Sequence, residues 1–187
     1  LRQIYGMTEL GGSSIGNSRD FAAGRPESVG RPSMFTEHRV VRPDGTDCEP
    51  GKPGEIIVRG PSVTPGYWRN EAATREAIRD GWFHSGDVGV LDADRHLRVV
   101  DRLKDMIISG GYNIAPSELE AVIQEVPGVE EVAVIGLDDA RYGETPVALV
   151  DVPAETEAVI AHCRHNLAGF KVPRHVITVD EPLPRMP

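Results

Sequence analysis

The hydrophobic pattern of this chain changes once along its length. Up to about residue 100, short apolar runs alternate with polar positions and are divided by Gly- and Pro-rich turn signals, which predicts strands joined by turns. The stretch EHRVVRPDGTDCEPGKPGEIIVRG holds two such strands, with Asp44-Gly45 and the cluster Pro50, Gly51, Pro53 and Gly54 as punctuation. DVGVLDADRHLRVVD alternates, turns and alternates again, which predicts a hairpin. One short helix interrupts this region. Asn70 is a good N-cap for EAATREAIRD, Ala73, Ala77 and Ile78 share a face, and Gly81 closes it. LGGSSIGNS and GRPESVGRP read as loops, and no internal repeat is visible.

From Pro116 the spacing becomes helical. Ser117 and Glu120 have the S-x-x-E form of a capping box, and Leu119, Val122, Ile123 and Val126 follow on one face. Pro127-Gly128 ends that helix, VEEVAVIGL and TPVALVDV read as strands, ETEAVIAHCRHNLA as a second helix and HVITVD as a last strand. Helices packed on one face of a small sheet make an α+β unit. The seam between the two patterns lies at DRLKD, Asp101 to Asp105, so the fold class is mixed α and β with a mostly β first part.

Composition narrows the function classes. A length of 187 residues allows one good core or two small ones. With 40% hydrophobic and 26% charged residues, the chain reads as an ordinary soluble globular protein. No apolar run approaches the roughly 20 residues that span a bilayer. Cys48 and Cys163 stand far apart without C-x-x-C spacing, against a zinc site or disulfide framework and in keeping with a reducing, cytoplasmic setting. A net charge of −9 gives nucleic acid no electrostatic footprint. The chain opens without methionine on LRQIYGMTE and closes on the proline-rich EPLPRMP, and is expected to be a piece of a longer polypeptide.

Three short stretches carry candidate chemistry. In IYGMTE, Thr8 and Glu9 stand side by side after Gly6. A carboxylate beside a hydroxyl can ligate Mg²⁺ and hold a phosphate oxygen, though a solvated loop accounts for the same pair. In GWFHSGD, Gly86 lets the backbone approach a ligand and Asp87 can accept two hydrogen bonds from a diol. Asp87 can equally cap a turn, and His84 can be a packing residue. In DRLKDMIISGGYN, Arg102 and Lys104 flank Leu103, with an exposed ion pair as the plainer reading, and Gly110-Gly111 suits a turn of positive φ.

Taken in order, YGMTE, GEIIVRG, PGYW, GWFHSGD, DRLKDMIISGGYNIAPSELE and LAGFKVP resemble the adenylate-forming superfamily of acyl-CoA synthetases, adenylation domains and luciferases, and look most like its fatty-acyl-CoA ligases. The resemblance covers nearly the whole chain. It implies that residues 1–100 close the large AMP-binding domain, that 101–105 is a hinge, and that 106–187 is most of a mobile C-terminal domain. By the same resemblance Thr8 and Glu9 are catalytic, meeting the phosphate of ATP and Mg²⁺, with Glu9 as the metal ligand. Tyr5 lies against the adenine, Gly6 is among the nucleotide-binding residues, Asp87 and Arg102 lie at the ribose, Lys104 is the hinge residue, and Gly110, Gly111 and Tyr112 meet the CoA thiol arm. His84-Ser85 departs from the family's Arg-Thr or Lys-Thr, which leaves the basic side chain's role open. The family's glycine-rich phosphate loop is not in the chain, residues 181–187 match only the approach to its C-terminal lysine motif, before which the chain is expected to be truncated, and Lys171 in GFKVP is not the catalytic lysine. The implied activity is ATP-dependent conversion of a carboxylic, fatty acid into acyl-CoA, with ATP, Mg²⁺ and CoA as cofactors or substrates. An adenylation module, an aryl-acid ligase and a non-catalytic binding segment are the alternatives.

Overall fold

The computed structural model describes residues 3–16, 24–151, 156–179 and 183. They form two compact units, Leu1–Leu103 and Lys104–Pro187. The first unit opens with a hairpin of β1 (Ile4–Met7) and β2 (Gly12–Gly16) around a 3₁₀ turn, Thr8–Leu10, and β3 (Arg31–Pro32) pairs with β2. Gly12–Gly16 therefore belongs to a strand where the Gly/Ser composition suggested a loop, because fully buried Ile15 anchors it.

A second antiparallel sheet holds β4 (Glu37–Val41), β5 (Pro53–Arg59), β6 (Ile78–Arg79), β7 (Trp82–Leu91) and β8 (Leu97–Arg102), in the order β4-β5-β7-β6 with β8 also on β7. Val40, Ile56, Val58 and Phe83 point from it into one core with Tyr5, Leu10, Ile15 and Leu97. Each such burial contributes about 1.5–3 kcal/mol. Helix α1 (Glu71–Ala77) starts where Asn70 accepts the Ala73 N–H at 3.0 Å, but it stops before Ile78. Asp80 and Gly81 both take positive φ, 51° and 77°, so they make the two-residue reverse turn that pairs Ile78 with Phe83. Gly81 turns a hairpin rather than ending a helix.

In the second unit, β9 (Ile107–Ser109), β10 (Tyr112–Ile114), β11 (Val132–Asp139), β12 (Gly143–Val150) and β13 (His175–Thr178) form a sheet of order β10-β9-β12-β11, with β13 parallel to β12. Helices α2 (Pro116–Ile123) and α3 (Thr156–Asn166) bury Leu119, Ile123, Val159 and Cys163 against Val134, Ala148 and Val150. This is the expected α+β arrangement. Ser117 is not the N-cap: Ala115 is, and Pro116 occupies the first helical position, where proline's fixed φ starts a helix. Glu120 instead accepts the Val134 N–H at 2.9 Å, tying helix to strand. Both cysteines are free. Among the described residues no helix is long and apolar enough to cross a membrane. The approach to the family's lysine motif, residues 181–187, lies outside the described residues except Leu183.

Candidate functional site

Asp87 owes its position to a bulge in β7. Glu55 pairs with Val88 and Ile57 with His84, so Ser85, Gly86 and Asp87 stand opposite Ile56 alone. Gly86 takes φ +70° there, a conformation glycine adopts without strain. The bulge is pinned on three sides. Ser85 Oγ donates to the Ile56 carbonyl at 2.7 Å and accepts the Asp87 N–H at 3.1 Å. Glu55 accepts the Gly86 N–H at 3.3 Å and meets His84 Nδ1 at 2.8 Å. His84, the departure from the family pattern, thus faces a carboxylate beside the bulge.

The Asp87 carboxylate is only 7% exposed as a residue, and it is where three strands converge. The Tyr5 hydroxyl donates to Oδ2 at 2.9 Å. Burial pushes the Tyr5 phenol well above its usual range, and the Asp87 charge adds to that, so it stays protonated and donating. Arg102, across the ladder from Asp87, brings Nε to 2.9 Å of Oδ1. That ion pair is poorly aligned as a hydrogen bond, and Oδ1 is left as a buried acceptor without an aligned donor. A carboxylate held by a phenol on one oxygen and by a guanidinium on the other keeps lone pairs that can accept from a hydroxyl-bearing ligand.

Glu9 sits in the 3₁₀ turn closed by Gly11, whose N–H bonds the Thr8 carbonyl at 3.1 Å. A side chain at Gly11 would meet the Ser62 carbonyl at 3.2 Å, so the turn lies close against the 60–70 loop. That loop holds Glu9 twice, through the Thr64 N–H to its carbonyl at 2.7 Å and the Tyr67 hydroxyl to Oε1 at 2.9 Å. Thr8 and Gly6 are exposed. The first unit therefore brings together Tyr5, Asp87 and Arg102, and presents Gly6, Thr8 and Glu9 from the same N-terminal hairpin.

In the second unit Lys104 is exposed within a 3₁₀ turn, Leu103–Asp105, at 4.0 Å from the Asp105 carboxylate. Gly110 and Gly111 have φ +57° and +83° and form the reverse turn between β9 and β10. Tyr112 is exposed and stacks on Phe170 with ring centroids 4.4 Å apart. A cavity of about 510 Å³ opens here, lined by Gly110, Tyr112, Tyr142, Phe170 and Arg174. Sequence reasoning passed over Glu55, Tyr67 and Phe170, whose partners are distant in the chain. The donor atoms of Asp92, Asp94 and His96 cluster within 4.8 Å, but Arg25 pairs with both carboxylates and takes the place of a cation.

Residues 1–68 match the model of the AMP-binding enzyme family, and residues 118–187 match that of the AMP-binding enzyme C-terminal domain. The chain is 49% identical over 183 residues to a feruloyl-CoA synthase of an Amycolatopsis species, covering 95% of this chain and 37% of that protein. It is 41% identical to a long-chain-fatty-acid–CoA ligase of Escherichia coli O157:H7, covering 97% of this chain and 33% of that protein. The o-succinylbenzoate CoA synthetase of Bacillus subtilis, solved with its acyl-adenylate intermediate, superimposes with a TM-score of 0.92 at 38% identity, over 98% of this chain and 38% of that one. The same synthetase has also been solved with ATP and a magnesium ion. The chain thus spans less than two fifths of the length of these relatives.

Proposed function

Since this chain belongs to the AMP-binding, adenylate-forming enzyme family, we propose that it supplies the ribose-binding strands and the mobile small domain of an ATP-dependent acid–thiol ligase. The reaction joins a carboxylate to ATP, giving acyl-adenylate and pyrophosphate, and then transfers the acyl group to the thiol of CoA, releasing AMP. The observation that carries this reading is Asp87 Oδ1, a buried acceptor without an aligned donor, flanked by Tyr5 and Arg102. A ribose diol supplies the missing donors.

Thr8 and Glu9 are the catalytic pair in this reading. Thr8 offers an exposed hydroxyl to a phosphate oxygen, and Glu9 offers the carboxylate that would hold Mg²⁺. The metal, when bound, offsets phosphate charge. Tyr5 and Gly6 border the nucleotide base, Asp87 and Arg102 hold the sugar, and binding itself brings carboxylate and phosphate into reacting distance. Lys104, at the division between the two units, is the pivot about which the small domain turns between half-reactions. Gly110 and Gly111 then pass their backbone close to the thiol arm of CoA, with Tyr112 beside it; the cavity at Gly110 and Tyr112 supports that placement. The setting is the cytoplasm, in keeping with two free cysteines, and no nucleic acid takes part.

The acid is a fatty acid in the main reading. A second reading, an aromatic acid of the feruloyl type, is favoured by 49% identity to the feruloyl-CoA synthase against 41% to the long-chain ligase. Acid-dependent pyrophosphate exchange and thioester formation by the complete enzyme, across fatty and hydroxycinnamic acids, separate the two. Exchange with none of these acids overturns the proposal.

A further inference from the structure

We infer that Tyr67 is a positioning residue for Glu9, its phenol holding one carboxylate oxygen so that the other remains available to the nucleotide's cation. The inference rests on the reading of Glu9 as the cation ligand. Tyr67 stands 58 residues beyond Glu9 and donates to Oε1 at 2.9 Å, while the Thr64 N–H of the same loop donates to the Glu9 carbonyl at 2.7 Å. Main chain and side chain of Glu9 are thus fixed by one loop.

That loop is itself set before any ligand arrives. Thr74 Oγ1 accepts the Tyr67 N–H at 2.9 Å and donates to the Asn70 carbonyl at 2.8 Å. Thr64 Oγ1 donates to the Gly66 carbonyl at 3.0 Å and accepts its N–H at 3.3 Å. Gly66 has φ +153°, and a Cβ there would press on the Thr74 side chain at 2.7 Å, so only glycine lets the loop lie this close to α1. The backbone on both sides of Tyr67 is therefore anchored, and the phenol reaches Glu9 without having to be ordered first. Partners of this kind fix which lone pairs a ligating carboxylate offers, and their loss weakens metal binding or activity by about 10–100-fold.

Phenylalanine at this position keeps the ring and removes only the donor. In the complete enzyme, Mn²⁺ is titrated in the presence of ATP with the free ion followed by EPR, and the Mg²⁺ dependence of acid-dependent pyrophosphate exchange is measured on the same variants. Tyr67→Phe is expected to weaken Mn²⁺ binding to the ATP complex about tenfold and to raise half-saturating Mg²⁺ by a similar factor. Saturating Mg²⁺ restores exchange, and KM for the acid and the melting temperature stay at parent values. Glu9→Gln, run alongside, weakens Mn²⁺ binding at least as much. Unchanged Mn²⁺ affinity in Tyr67→Phe with weakened affinity in Glu9→Gln overturns the positioning role and leaves the site reading intact. Unchanged affinity in both overturns the site reading as well. A lowered melting temperature without a cation effect makes Tyr67 a structural latch and also refutes the inference.

Discussion

Besides its ion pair with Arg102, replacing Asp87 by alanine removes two things that can be measured apart. The first is the proposed ribose contact. A carboxylate accepting two hydroxyl donors gains about 1.5–3 kcal/mol from each charge-assisted bond, so even the lower bound for both, about 3 kcal/mol, lowers kcat/KM for ATP roughly 150-fold. The second is the acceptor for Tyr5, a residue only 7% exposed whose hydroxyl bonds Asp87 at 2.9 Å. Orphaning that hydroxyl costs about 1–3 kcal/mol of folding stability. The double variant Tyr5→Phe/Asp87→Ala removes the orphan and should recover most of the stability, while ATP use stays low. Steady-state kinetics with ATP varied and urea unfolding on the three proteins give both numbers. A kcat/KM for ATP within threefold of the parent in Asp87→Ala, with the fold intact, refutes the assignment. Recovery of ATP use in the double variant refutes it too, by making the defect one of folding.

Lys104→Pro fixes φ near −65° and removes an N–H at the division between the units. Adenylate formation should survive within about tenfold, roughly 1.4 kcal/mol, while thioester formation from preformed acyl-adenylate falls much further; equal losses in both half-reactions, or neither, remove Lys104 from the pivot. His38, 1% exposed, has its pKa lowered from 6.5 to about 4 by burial and then by the Arg95 charge. Between those values the unfolded chain binds a proton that the folded one refuses, so stability falls as pH drops from 6.5 toward 4, by about 1.4 kcal/mol per unit. Urea unfolding of the parent and of His38→Leu across that range should show a steeper loss in the parent, and parallel curves refute the prediction. Phe83→Ala, in the centre of the first core, should lose about 3–5 kcal/mol, and a loss under 1 kcal/mol in the same assay shows the core to be wrongly drawn.

Local signals were legible in the chain and distant partners were not. Asn70 was readable because its cap closes on Ala73 three residues away, and the helical face of Leu119 and Ile123 because periodicity alone reveals it. Glu120 was misread because its partner is Val134, on another strand. Ile78 was placed in the helix because Gly81 serves as well for a cap as for a hairpin, and Phe83 decides between them. Gly12–Gly16 looked like a loop since its Gly/Ser composition hides the pairing with β1. At the site, Tyr5 and Asp87 are 82 residues apart, so no spacing rule joins them; only the family resemblance set both at one nucleotide. Tyr67 lies in PGYW, which enters the sequence reading only as part of the family pattern, and its bond to Glu9 is visible only in three dimensions.

The most direct test of the ribose reading is the affinity of the parent and of Asp87→Ala for AMP and for 2′,3′-dideoxy-AMP, measured by calorimetry in the complete enzyme. If Asp87 Oδ1 meets the diol, the parent prefers AMP by about 100-fold, near 3 kcal/mol, and Asp87→Ala binds both nucleotides at the weaker value. Equal affinity of the parent for the two nucleotides, or a preference that persists undiminished in Asp87→Ala, contradicts it.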